Sequence, residues 1–136
     1  MTKNREQLKG LLNTRRFATT IGLAGLAAVH IMDLPGKWAE TQYLAFGYIG
    51  VIVFAGLLIE RLLQGGHAND YLIAAGLSLA VLAGFVVNRT IGMPGAMDDI
   101  GNWFEPLALL SLFVEVFTVY QAIEGYRIAR RLVAIA

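Results

Sequence analysis

Cysteine is absent from the 136 residues. That excludes disulfides, thiol redox chemistry, zinc ribbons, iron–sulfur clusters and covalently attached c-type haem. Charge is also scarce. Asp, Glu, Lys and Arg make up 15% of the chain, against about 25% in soluble domains, which argues against a soluble globular enzyme. The net charge is +1 and there is no long basic run, so nucleic acid is not an implied partner. There are two histidines, His30 and His67, and three prolines. No Ser-His-Asp set, phosphate loop or HExxH motif occurs. Gly92 and Gly95 follow no strand and carry no nucleotide-binding pattern. No catalytic residue is therefore singled out, and the sequence leans away from an enzyme without closing the question.

What the chain has in abundance is apolar sequence, 57% of its residues. Four stretches approach the ~20 residues needed to cross a bilayer core. They run over about 17–34, 41–63, 71–87 and 106–122. In lipid every backbone polar group must be satisfied within its own segment, so these runs predict helices. The fold class expected is all-α: one domain, a four-helix transmembrane bundle made of two hairpins.

Basic residues set the expected orientation. Lys3, Arg5, Lys9, Arg15, Arg16, Arg61, Arg127, Arg130 and Arg131 fall on one side, and Lys37 and Arg89 on the other. Nine against two places both termini in the cytoplasm by the positive-inside rule. Thr14-Arg15-Arg16-Phe17 before a Gly/Ala-rich run looks like a twin-arginine export signal, with Ala27-Ala28 as a cleavage region. We expect the segment to stay uncleaved and serve as the first span. Residues 1–16 form a basic N-terminal segment. It is read either as a short amphipathic helix dipping Leu8, Leu11 and Leu12 into the cytoplasmic leaflet, or as a solvated tail.

The inner turn is expected at 64–70, around Gly65-Gly66. The outer loops are expected at 34–40 and 93–106. Each carries Pro-Gly followed by Trp-x-Glu, with six more residues between Gly and Trp in the second. This reads either as a weak repeat of two hairpins or as common turn and interfacial chemistry. Glu40 and Glu105 suit helix starts. Small residues at Ala18, Gly22 and Gly25, at Gly76, Ala80 and Gly84, and at Gly47 and Gly50 are expected to form close helix seams. Phe46, Tyr48, Phe54, Phe85, Phe113 and Phe117 are read as lipid-facing or interhelical filler.

Glu115 lies ten residues beyond Glu105, ~15 Å into the membrane at 1.5 Å per residue. A charge there costs several kcal/mol unless paired, hydrated or protonated. Ser111 and Thr118 share its helix face, and Ser78 sits at similar depth. This polar group is either a proton, ion or ligand pathway, or a neutral Glu bonded between helices or to a partner subunit. At the outer end lie His30, Asp33, Arg89, Asp98, Asp99 and Glu105. Arg89 is expected to pair with Asp98, Asp99 or Glu105 and hold the long loop down. His30 with Met32, Met93 and Met97 is the alternative, since imidazole and thioethers suit Cu(I); otherwise no cofactor is implied. His67 lies a membrane thickness from His30, which argues against one haem held by both.

The run Arg89-Thr90-Ile91-Gly92-Met93-Pro94-Gly95, continuing through Asp98-Asp99-Ile100-Gly101-Asn102-Trp103-Phe104-Glu105-Pro106-Leu107 to Ser111 and Glu115, resembles a signature of small four-helix membrane proteins of actinobacteria. The resemblance covers roughly the second half of the chain. It implies a four-span bundle in a bacterial cytoplasmic membrane, with Arg89, Pro94, Gly95, Trp103, Glu105 and Glu115 in one structural unit. Ala108 departs from the pattern, which has Gly there. The family brings no established activity. Three functional readings follow. The favoured one is an accessory subunit of a respiratory, oxygenase or transport complex, with other membrane subunits or further copies of the chain as partners in the bilayer. The second is a small proton-coupled transporter using Glu115. The third is a metal-binding membrane protein or enzyme using the outer cluster.

Overall fold

The computed structural model describes residues 2–135. They form four long helices: α1 (Thr2–Glu40), α2 (Gln42–Leu63), α3 (Ala68–Thr90) and α4 (Pro106–Ala134), with one 3-10 turn at Met97–Asp99. All four are long and apolar enough to cross a membrane. At 1.5 Å per residue the shortest, with 22 residues, spans ~33 Å.

The helix ends follow from local chemistry. Gly65 and Gly66 both take positive φ, which costs glycine little, and their amides bond back to Leu62 and Arg61 carbonyls. His67 then opens α3, donating its backbone N–H to Asp70 Oδ2 at 2.7 Å. Arg61 Nε donates to the other oxygen of Asp70 at 2.6 Å, joining the end of α2 to the start of α3. Pro106 occupies the first turn of α4, where its missing N–H costs nothing.

Two expectations about α1 need correction. Residues 3–16 are not a separate helix, because α1 runs unbroken from Thr2 to Glu40. Leu12 packs against the core, and Arg15 Nη1 donates to Gln121 Oε1 at 2.7 Å. These contacts hold the segment in line with the span. The expected outer loop at 34–40 is also helical, with Pro35 inside it. Lys37, in the last turn, is drawn to Asp99 at 2.8 Å, which keeps that turn wound. The chain breaks instead at Thr41 (φ −148°, ψ 81°), whose hydroxyl donates to the Gly95 carbonyl at 2.9 Å. Only the second Pro-Gly is a turn. The two Trp-x-Glu strings differ likewise, the first ending a helix and the second preceding one.

α1 packs along α2 and α4, and α4 along α3, while α2 and α3 share only a short contact. Gly22 faces Thr118 and Phe117, and Gly25 faces Val114, so α1 and α4 run antiparallel. Gly125 lies against the Tyr71 ring, and Phe85 meets Trp103 edge-on at 5.7 Å, so α3 and α4 do too. Asp33–Tyr48 and Arg16–Gly65 bonds give α1 and α2 the same relation. The bundle therefore has a basic end carrying Arg15, Arg16, Arg61 and Arg127, and an acidic end carrying Asp33, Asp98, Asp99 and Glu105.

Gly22, Gly25 and Gly125 are tight seams. Gly76 and Gly84, expected to form another, have no atom within 4 Å of an added Cβ, and neither do Gly47 and Gly50. Gly47 and Gly84 line an open cleft between α2 and α3. Large apolar residues at helical spacing face outward: Phe46 and Val53 on α2, Leu72, Leu79 and Val86 on α3, Phe113, Val116 and Tyr120 on α4. Such a belt suits lipid and is far larger than the patches soluble monomers expose. The buried core of Leu23, Leu26, Ala55, Leu58, Leu62, Tyr71, Ala74, Ala75 and Ala122 lies toward the basic end. The other half of the bundle is hollow.

Candidate functional site

The hollow half holds two cavities. The first, about 280 Å³, opens at the acidic end. His30, Asp33, Lys37 and Glu40 of α1, Tyr48 of α2, Arg89 of α3, Asp98, Asp99 and Glu105 before α4, and Ser111 of α4 line it. We call it the vestibule. The second, about 290 Å³, lies between α2 and α3 and is mainly apolar, with Gly47, Val51, Leu77, Ala80 and Gly84 in its walls. His30, Tyr48, Phe85 and Ser111 border both.

Asp99 organises the rim of the vestibule. It accepts from Lys37 Nζ at 2.8 Å, Asn88 Nδ2 at 2.9 Å and Arg89 Nη1 at 3.1 Å. Partial burial alone pushes its carboxyl up. The hydrogen bonds from Lys37 and Asn88 and the charges of Lys37 and Arg89 outweigh that and hold it below its ordinary 3.8, so Asp99 is ionised at neutral pH. Arg89 also donates to Glu105 Oε2 at 3.1 Å and lies over the Phe85 ring at 5.4 Å. Planar forks of this kind fix geometry better than a lysine does. Together these bonds tie the 92–105 loop to the tops of α1 and α3. Of the three acids expected as partners for Arg89, Asp99 and Glu105 hold it; Asp98 is exposed on the turn.

His30 sits deeper, 7% exposed. Its Nδ1 lies 2.8 Å from the Leu26 carbonyl. A carbonyl only accepts, so Nδ1 carries the hydrogen, and in the neutral ring Nε2 keeps a lone pair. No described residue bonds Nε2. Tyr48 packs edge-on against the ring at 4.7 Å and donates its hydroxyl to Asp33 Oδ2 at 2.9 Å.

Ser111 closes the floor. Its hydroxyl donates to Glu115 Oε1 at 2.6 Å. Glu115 is 1% exposed, and its Oε2 has no partner among the described residues. It lies nine residues into α4, ~14 Å below the helix start. The four intramembrane polar residues expected from sequence do not all meet. Thr118 donates to the Val114 carbonyl of its own helix at 2.7 Å, satisfying itself locally, and packs on Gly22. Ser78 is fully buried with no hydrogen-bond partner among the described residues. The copper set is divided by exposure. Met93 borders the second cavity with His30, but Met32 and Met97 are exposed, and no group of three His, Asp or Glu side chains suited to a metal ion occurs among the described residues. His67 caps α3 at the opposite end.

Sequence reasoning passed over Lys37, Tyr48 and Asn88. Lys37 was the one basic residue beside the first Pro-Gly, and a lone cation near several acids is the signal that points to it. Tyr48 falls among the apolar filler by sequence, and its hydroxyl is the signal that points to a polar wall.

No protein-family model matches the chain, and no curated protein or solved structure matches it.

Proposed function

We propose that this is a multi-pass protein of the bacterial cytoplasmic membrane that binds an organic ammonium ion in the vestibule and exchanges a proton through Glu115. In this reading the helices form two hairpins with both termini in the cytoplasm, following the nine-to-two partition of Lys and Arg. The vestibule then faces outward. The resemblance to the small actinobacterial membrane proteins belongs to the same proposal.

The observation that carries it is the charge of the vestibule wall. Five carboxylates, from Asp33, Glu40, Asp98, Asp99 and Glu105, face two cations, Lys37 and Arg89. Both cations are already engaged by Asp99 and Glu105. Asp33 and Asp98 have no ion-pair partner among the described residues. A cleft of one charge sign with low-dielectric walls concentrates counter-ions. The cavity is larger than a bare metal ion needs, and its net-negative, oxygen-rich wall with Tyr48 suits an ammonium head. The core below Ser111 is packed, so a ligand entering here meets a closed inner half and a buried carboxyl one hydrogen bond away. This favours a binding role over the accessory-subunit role that small size and few polar residues suggest.

The test is ethylammonium binding to the purified protein in lipid nanodiscs, with empty discs subtracted. Asp33→Asn keeps the Tyr48 bond and removes the charge. One charge-assisted hydrogen bond is worth about 1.5–3 kcal/mol, so affinity should fall roughly tenfold or more. Equal binding by Asp33→Asn and the native chain would contradict the proposal.

A further inference from the structure

Resting on that reading, we propose that the ligand is an amphiphile, an alkylammonium whose head sits in the vestibule and whose chain lies in the cleft between α2 and α3. The cleft exists because Gly47, Ala80 and Gly84 present no bulk across it, and nothing lies within 4 Å of a Cβ added at Gly47 or Gly84. Its remaining walls include Leu44, Val51, Leu77 and Val81, which suit methylene groups and no charge. The helices that form it carry exposed Phe46, Val53, Leu79 and Val86 on their outer faces, so the gap gives onto the hydrocarbon layer rather than water.

The second observation is the junction. His30 is more than nine-tenths buried, keeps an unbonded ring nitrogen, and borders both cavities together with Ser111. The acidic and the apolar space therefore meet at a polar hinge. A ligand with a cationic end and an apolar end satisfies both, whereas a plain cation leaves the cleft unused. The two volumes, about 280 and 290 Å³, together fall in the range of ~300–1,000 Å³ usual for small-molecule pockets. An amphiphile would also reach the site sideways from the bilayer, where its chain already resides.

The experiment compares ethylammonium, decylammonium and decanol binding to the full chain in nanodiscs, with empty discs subtracted. Burying one methylene strengthens binding about fourfold, so three buried methylenes give roughly sixtyfold. Decylammonium should exceed ethylammonium by about that factor and should exceed decanol as well. Gly84→Leu fills the cleft where there is space, so the variant should fold. It should bring decylammonium down to the ethylammonium level and leave ethylammonium unchanged; Gly47→Leu should do the same. Equal affinity for the two ammonium ions, or no effect of either leucine, overturns the amphiphile while leaving the vestibule proposal standing. Decanol binding as tightly as decylammonium shows a cleft that takes any chain, and also overturns it. If neither ammonium ion binds, the vestibule reading fails and this one with it.

Discussion

Glu115→Gln is expected to reduce ammonium-evoked proton movement in proteoliposomes to background while ammonium binding stays within about twofold of native. The substitution keeps side-chain volume, and the amide oxygen can still accept from Ser111, so packing and the one hydrogen bond at 2.6 Å survive. What is lost is the titratable proton. A buried ionisable group near the middle of a span is expensive to keep, which makes it a candidate for a proton or ion path. Its free oxygen, Oε2, has no partner among the described residues, which is a poor arrangement for a purely structural link. A structural role predicts a different pattern: Glu115→Gln would shift thermal stability and leave proton movement intact. A pH-sensitive dye inside the vesicles reads the first quantity, and a melting curve on the same preparation reads the second.

The other large effect is on stability. Gly125→Val should destabilise the bundle by about 3 kcal/mol, the upper end of what overpacking costs. A Cβ at that position enters the Tyr71 ring, lying 2.6 Å from Cε1. Tyr71 is fully buried in the core, with Leu62 and Ala74 in the same cluster, so the ring has nowhere to go. Gly76→Ala provides the contrast. Nothing lies within 4 Å of its added methyl, and alanine favours a helix over glycine by up to about 1 kcal/mol. It should be neutral or mildly stabilising. Denaturant titration in mixed micelles measures both. Similar losses for the two variants would mean that Gly76 is packed against a neighbour in the membrane.

That contrast also shows where sequence reasoning reached its limit. The four apolar runs were legible because a bilayer demands length and apolarity, and both are properties of a single segment. The polarity of the two ends was legible for the same reason, since charge inside a span is costly and most charged residues collect at the ends. Arg89, the acids at 98, 99 and 105, and Ser111 with Glu115 could be singled out because polar residues are rare here and helical spacing puts 111 and 115 on one face. Which small-residue stripe closes a seam was not legible. Gly22 and Gly76 look alike in a string, and only the partner across the gap, Thr118 or empty space, tells them apart. Pro35 misled for a related reason. Pro-Gly favours a turn locally, but Lys37 reaching Asp99 across 62 positions holds the helix one more turn. The vestibule has the same origin, because its wall draws on all four helices and the 92–105 loop, and no single segment encodes a cavity.

An outward-facing vestibule that prefers cations would end at Ser111. The absence of cysteine makes it directly measurable. A Ser111→Cys chain in intact cells can be treated from outside with membrane-impermeant methanethiosulfonates, one carrying an ammonium group and one a sulfonate. Labelling from outside is expected, about tenfold or more faster with the cationic reagent because of the acidic wall, and slowed by added ethylammonium. A thiol that reacts only from the cytoplasmic side, or equally fast with both reagents, would contradict it.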